Sequence, residues 1–175
     1  MAKKRILEKY NGSKLEWLHD SMHFIILTVL VFVLFRFVIG ISIIGGDSMK
    51  PSFHSGDIVV YLRIVPEYMP GDVVSMRVPA GDYYVKRVIA VGGDTVDIRD
   101  GSVLVNGADI ADENASGVTE EQTSAVIFPY TVREGNVFVL GDNRQVSMDS
   151  RTFGEVNRRQ IKGKIIMHFE TGTGS

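Results

Sequence analysis

From Met22 to Ile44 the chain reads MHFIILTVLVFVLFRFVIGISII, an apolar run broken once by a charge, at Arg36. At 1.5 Å of rise per residue, this length crosses the ~30 Å hydrocarbon core of a bilayer. The run is apolar on every side and lacks the polar stripe of a surface helix. A buried core helix and a cleaved secretory signal are the alternatives. No A-x-A-like site follows, however, and an arginine inside the hydrophobic region is unusual for a signal. Arg36 lies towards the end of the run, where its stem can stay in lipid while its head reaches the head groups. The pattern predicts an uncleaved signal anchor at 22–40, after a segment 1–21.

Beyond Gly45 the period changes from all-apolar to two. GDIVVYLRIV, GDVVSMRVP, YYVKRVIAV, TVDIRDGSVLVNG, GNVFVLG and KGKIIMHFE each read as strands. Asp100-Gly101 and Asn106-Gly107 are tight-turn signals on either side of Ser102 to Val105. Ala111 to Ala125 is polar and aperiodic, which predicts an exposed loop with at most a short helix. The expected fold is therefore mainly β: a membrane helix, then one largely antiparallel domain at 41–170. A smaller lobe is expected at about 94–132, and a frayed tail at 171–175.

Charge adds a direction. Lys3, Lys4, Arg5 and Lys14 precede the span, so the N-terminus is expected in the cytoplasm and the β domain outside, single-pass in the plasma membrane. The net charge of −2 disfavours a nucleic-acid binder. The absence of cysteine rules out disulfides, a thiolate nucleophile and cysteine-ligated zinc. The four histidines, His19, His23, His54 and His168, are scattered without metal-ligand spacing, and no metal or cofactor is expected.

Three polar stretches carry candidate chemistry. GGDSMKPSFHSGD, Gly45 to Asp57, begins where the apolar run stops and holds Ser48. A serine needs a base to take its proton. His19 and His23 fall on the wrong side of the membrane or within it, and neither His54 nor His168 sits in a triad-like context. A buried, neutral lysine is the other solution. Lys86 in YYVKRVIAVGGD shares a strand face with Tyr84, Val88 and Ala90. Burial there would lower its pKa; the bland alternative is a strand lysine reaching solvent, as its neighbour Arg87 would on the opposite face. In VFVLGDNRQVSMDSRTFGEV, Asp149 and Arg151 suit an ion pair bracing a loop, and Ser147 is placed to orient an amine. The same residues also fit an elaborate polar turn.

Taken together, GDSMKPS, YYVKRVIAVGGD and GDNRQVSMDSRTFG, in that order after an anchor, resemble the type I signal peptidases of bacteria. These are membrane-anchored serine proteases that release exported proteins from their signal peptides. The likeness covers the anchor and nearly all of the outer domain. It implies that Ser48 is the nucleophile, within the S-M-x-P-T pattern through Met49 and Pro51, and that Lys86 is the general base with Arg87 its companion. Ser147 corresponds to the serine that hydrogen-bonds the lysine, and Asp142, Asn143, Arg144, Asp149 and Arg151 to the supporting scaffold. The substrate is expected to lie as an added strand along Ile43, Ile44 and Gly46 on one side and Tyr83, Tyr84 and Val85 on the other. Shallow pockets there would select small side chains at the first and third residues before the cut.

The implied partners are signal-peptide-bearing preproteins and the lipid bilayer, the implied enzyme is a monomer, and no cofactor is needed. Ser52 stands where the family commonly has threonine. Gly46 stands where some relatives have a serine that helps the oxyanion hole. Ser75-Met76 repeats the Ser-Met dipeptide but lies mid-strand with its proline one residue late, and reads as structural. Two other readings remain. A self-cleaving serine-lysine repressor would carry a DNA-binding domain in place of the anchor. A non-enzymatic homologue, a chaperone or pilus assembly factor, would be expected to lack Ser48 or Lys86.

Overall fold

The computed structural model describes residues 2–78, 81, 83–122 and 126–172. It divides into two units, 1–38 and 39–175. The first is helix α1, Ala2–Val33, widened into a π turn at Leu34–Val38. Within it, His19–Val38 has a mean hydropathy of 2.3 and none of it is buried. That length and composition are sufficient to cross a membrane.

The helix runs through all of 2–21 ahead of the apolar run, and with its π turn it ends at Val38, short of the end of that run. Ile39–Ile43 is instead the first strand, β1. The reason lies in the residues: IGISI alternates β-branched with small side chains, a pattern that suits a pleated surface better than a helix. Gly40 pairs with Tyr61 on the next strand, and a Cβ added at Gly40 would come within 2.2 Å of the Tyr61 ring. The aromatic ring thus takes the space a side chain would need.

The remaining strands are β2 (Ile58–Leu62), β3 (Val73–Arg77), β4 (Tyr83–Val91), β5 (Thr95–Arg99), β6 (Ser102–Val105), β7 (Ala108–Asp109), β8 (Tyr130–Thr131), β9 (Asn136–Leu140), β10 (Val156–Asn157) and β11 (Ile161–Phe169). A short helix α2, Ser150–Phe153, precedes β10. The larger sheet has seven strands in the order β1-β2-β11-β3-β4-β9-β10, and the smaller has four in the order β7-β6-β5-β8. All strand pairings are antiparallel. The turns Asp100-Gly101 and Asn106-Gly107 have positive φ at both residues, as two-residue hairpins require.

Valines dominate the core because half-buried pleats favour β-branched residues. Val74, Met76, Val88, Val137 and Val139 form one cluster. Ile89, Ala90, Phe138 and Leu140 join Val96, Val103 and Val132 in a second, which ties the two sheets together. A third, Ile44, Met49, Phe53 and Val59 with Val73, Val85 and Ile165, lies under the segment that carries Ser48.

One feature of the larger sheet positions the site. β3 pairs with β4 from Tyr83 to Arg87, but β9 joins β4 only from Arg87 onward. Among the described residues, the other edge of Tyr83–Lys86 is unpaired. An open sheet edge of this kind accepts an extended peptide.

Candidate active site

The segment Ile44 to Asp57 is a closed loop. Ile44 N–H donates to Asp57 O at 2.8 Å, and Gly56 N–H donates to Ile44 O at 2.9 Å. Met49 and Phe53 anchor it by burying their side chains in the cluster below. Gly46, at a φ of 80°, makes the turn into Ser48. At the far end, Asp57 accepts from His54 N–H at 2.8 Å and bonds His168 Nε2 at 2.7 Å. His168 is thereby engaged with Asp57, and among the described residues neither His168 nor His54 bonds Ser48.

Lys86 Nζ lies 2.7 Å from Ser48 Oγ. Lys86 is 2% exposed, and Tyr84, two residues earlier on the same face, covers it with the ring centroid 5.4 Å from Nζ. Burial pushes the Lys86 pKa down from 10.5 to about 8, because a low-dielectric environment penalises the ammonium form. The Asp149 carboxylate opposes this shift and the Arg151 guanidinium adds to it. The lysine is therefore neutral over much of the mildly alkaline range, and a neutral amine beside a hydroxyl can take its proton.

The neighbouring Arg87 does not run out to solvent. Its Nε and Nη2 donate to the two oxygens of Asp142 at 2.8 and 2.6 Å, and Nη2 reaches Ser52 Oγ at 3.4 Å. Residue 52 thus makes its contact through the hydroxyl that serine shares with threonine.

The third motif is a buried polar lattice. Asp149 receives Arg151 Nε and Nη2, both at 2.9 Å, along with Gly141 N–H at 3.1 Å. Arg151 Nη2 also donates to Arg144 O at 2.8 Å. Arg144 donates to Gly141 O, Thr119 Oγ1 and Asp112. Asn143 N–H closes on Ser48 O at 3.0 Å, which fixes the backbone at Ser48. Ser147 lies within this lattice, but its hydroxyl is enclosed without a hydrogen-bond partner among the described residues. The bond from Ser147 to the Lys86 amine is not made here, and the amine contacts Ser48 Oγ.

Two further contributions were not legible in the sequence. The polar stretch after β7, in its described part up to residue 122, contains no helix, as expected, but it is not merely an exposed loop. Ser116 N–H donates to Asp142 O at 2.7 Å, Arg144 N–H donates to Ser116 O at 3.0 Å, and Ser116 Oγ donates to Lys50 O at 3.2 Å. The stretch is a strap that binds the third motif to the Ser48 loop. Residues 123–125, the rest of the expected loop, lie outside the described residues. The second contribution comes from the cleft beside Ser48, of about 620 Å³. Ile43, Ile44, Gly46, Tyr83, Tyr84 and Val85 all line it, and so do Asn143, Val146, Met148 and Ser75. Val146 and Met148 are exposed apolar residues of the third motif, and the serine of the repeated Ser-Met dipeptide, Ser75, borders the cleft while Met76 is buried in the core. Only pairing register could have revealed Ser75, because it acquires its place through its partner Val85.

A family model described as signal peptidase, peptidase S26, matches residues 15–170. A signal peptidase I of Bacillus licheniformis is 33% identical over 171 residues, covering 89% of this chain and 90% of its own. Signal peptidase I S of Bacillus subtilis (strain 168) is 32% identical over 165 residues, covering 86% of both chains. A crystal structure of a signal peptidase I from Enterococcus faecalis V583 is 30% identical, with a TM-score of 0.46, covering 59% of this chain and 100% of that one.

Proposed function

The chain belongs to the signal peptidase family, peptidase S26, and from that premise we propose that it is a membrane-anchored serine endopeptidase. In this reading it cleaves N-terminal signal peptides from exported preproteins through an acyl-enzyme on Ser48, with Lys86 as the general base. The observation that carries the proposal is the 2.7 Å approach of a buried, pKa-lowered Lys86 Nζ to Ser48 Oγ.

The substrate lies extended along the unpaired edge of Tyr83–Val85 and against Ile43 to Gly46, so its main chain completes the sheet edge. Neutral Lys86 takes the Ser48 proton as Oγ attacks the scissile carbonyl carbon. The oxyanion is held by the Ser48 backbone N–H, which no hydrogen bond engages among the described residues. The lysine ammonium then gives its proton to the leaving amine, and the mature protein departs. Water attacks the ester, Lys86 takes a proton from that water, and Ser48 Oγ leaves with it while the signal peptide's carboxyl group is released. Asp142, Arg144, Asp149 and Arg151 act by position: they hold the loop that fixes Ser48 through Asn143. The apolar helix supports membrane anchoring, and the N-terminal lysines and arginine support a cytoplasmic N-terminus.

The test is direct. Detergent-solubilised protein is incubated with a preprotein, and the new N-terminus is sequenced. Cleavage after a small residue at the end of the signal peptide is the expected result. Ser48→Ala and Lys86→Arg should both be inactive, because arginine keeps the charge but cannot lose its proton at working pH. His54→Ala and His168→Ala should keep most activity. Substantial turnover by Lys86→Arg, or its loss in either histidine variant, would overturn the serine-lysine assignment.

A further inference from the structure

The cleft beside Ser48 has one polar spot in an apolar wall. Ile44, Met49 and Val85 pack in one cluster, and all three line the cleft. Ser75 stands directly opposite Val85 in the antiparallel register. Directly opposed residues project from the same face of a sheet, so Ser75 and Val85 share a wall. Ser75 is 4% exposed, so it is nearly as enclosed as its apolar neighbours. Among the described residues no hydrogen bond engages its hydroxyl, and the hydroxyl is not sealed from solvent as Ser147 Oγ is. It therefore opens into the cleft.

The strand around it needs no serine for folding. Val74 and Met76 fill the opposite face, and a valine at 75 would suit a half-buried pleat better. A hydroxyl set among apolar side chains is unsatisfied when an apolar group covers it and is satisfied when the incoming group brings a partner. A substrate strand added to the open edge of Tyr83–Lys86 places every second side chain on the Val85 face. The first and third residues before the cut therefore share that face.

We propose that Ser75 is a specificity-determining residue: its hydroxyl favours a serine or threonine side chain over an apolar one at the first or third substrate residue before the cut. The proposal rests on the reading of this chain as an endopeptidase acting through Ser48.

The experiment uses the full-length detergent-solubilised protein and a set of signal-peptide substrates. The parent peptide has alanine at both positions, and its relatives carry serine at one position or the other. The quantity read is the ratio of kcat/KM for the serine and alanine peptides within one enzyme, which cancels any overall change in a variant's activity. Wild type should prefer serine at one of the two positions by about three- to tenfold, the net worth of one hydrogen bond. Ser75→Ala should bring that ratio to one or below, and Ser75→Thr, which keeps a hydroxyl, should retain a preference. Equal cleavage of serine and alanine peptides by wild type at both positions overturns the proposal whatever the variants do. The same holds if Ser75→Ala keeps the wild-type ratio. Failure of the underlying reading looks different, because wild type would then cut no peptide, the parent included, and both would fall.

Discussion

Lys86 illustrates how a residue chosen for reactivity works against the fold that contains it. Under the proposal that it is the general base, its pKa, lowered by burial from 10.5 to about 8, should set the acid limb of activity: cleavage should rise with pH through about 8, as the neutral amine accumulates. The same shift sets a stability trend. The folded value lies below the unfolded one, so between about pH 8 and 10.5 the unfolded chain binds more protons. Stability should then increase with pH across that window and be fully penalised below it. The penalty at neutral pH is roughly 3 kcal/mol. Lys86→Met should therefore be inactive yet about 1–3 kcal/mol more stable than wild type at pH 7, allowing for a Ser48 hydroxyl left without its amine. Urea unfolding at pH 7 and pH 10 checks this, and a variant less stable than wild type at both would contradict it. Sequence alone could not settle the fate of this lysine. Period two placed it beside Tyr84 and Val88, but a strand face is buried or wet according to what packs over it. Here the Tyr84 ring does so from the same strand, and the third motif, whose Asp149 and Arg151 act on the amine, arrives only through tertiary contacts. Arg87 shows the same limit in reverse: it looked like a residue reaching solvent and instead makes a bidentate pair with Asp142.

The strands were the most legible elements, because alternation, flanking Gly-Asp and Asn-Gly turns, and β-branched residues all pointed the same way. β1 was not, because its alternation is concealed at the end of a run that is apolar throughout. The two-residue strands β7, β8 and β10 carry too few residues to show a period. The strap after β7 has the sequence of a loop, and nothing local in it reveals a segment whose role is to satisfy distant partners. Its importance can be separated from that of the third motif by comparing two carboxylates. Asp149, fully buried, receives Arg151 through two side-chain bonds together with the Gly141 N–H. Asp149→Ala strands a buried arginine and should cost about 3–5 kcal/mol. Asp112 on the strap meets Arg144, which keeps Gly141 O and Thr119 Oγ1 as acceptors. Asp112→Ala should cost only about 1–3 kcal/mol, while still lowering cleavage, because Arg144 lies beside the Asn143 N–H that holds Ser48. Chemical denaturation alongside preprotein cleavage distinguishes the two. An Asp112→Ala protein with full activity would make the strap incidental to catalysis, and an unchanged melting temperature for Asp149→Ala would remove the lattice from the account of stability.

At the scale of the whole molecule, an apolar helix and a β domain are joined at Val38 and Ile39 without a polar linker, and each has an internal logic of its own. The helix exposes Phe24, Ile25, Leu27, Leu30 and Phe32, side chains that water would reject and hydrocarbon would accept. Basic residues at 3, 4, 5 and 14 lie ahead of its apolar stretch, and under the proposed topology that bias would hold the N-terminus in the cytoplasm. A single crossing in that sense would put Ser48 and Lys86 on the outer side, the location that the proposed cleavage of signal peptides requires. The chain has no cysteine, so one introduced thiol is the only one present and reports its own side of the membrane. Cysteines placed singly at Ser13 and at the exposed Gln145 should respond oppositely to a membrane-impermeant maleimide added to intact spheroplasts. Labelling at residue 145 with protection at residue 13 until the membrane is permeabilised is the expected result. The reverse pattern would place the catalytic domain in the cytoplasm, where an exported preprotein has not yet crossed. Labelling of both in intact spheroplasts would mean that the helix does not span the membrane once.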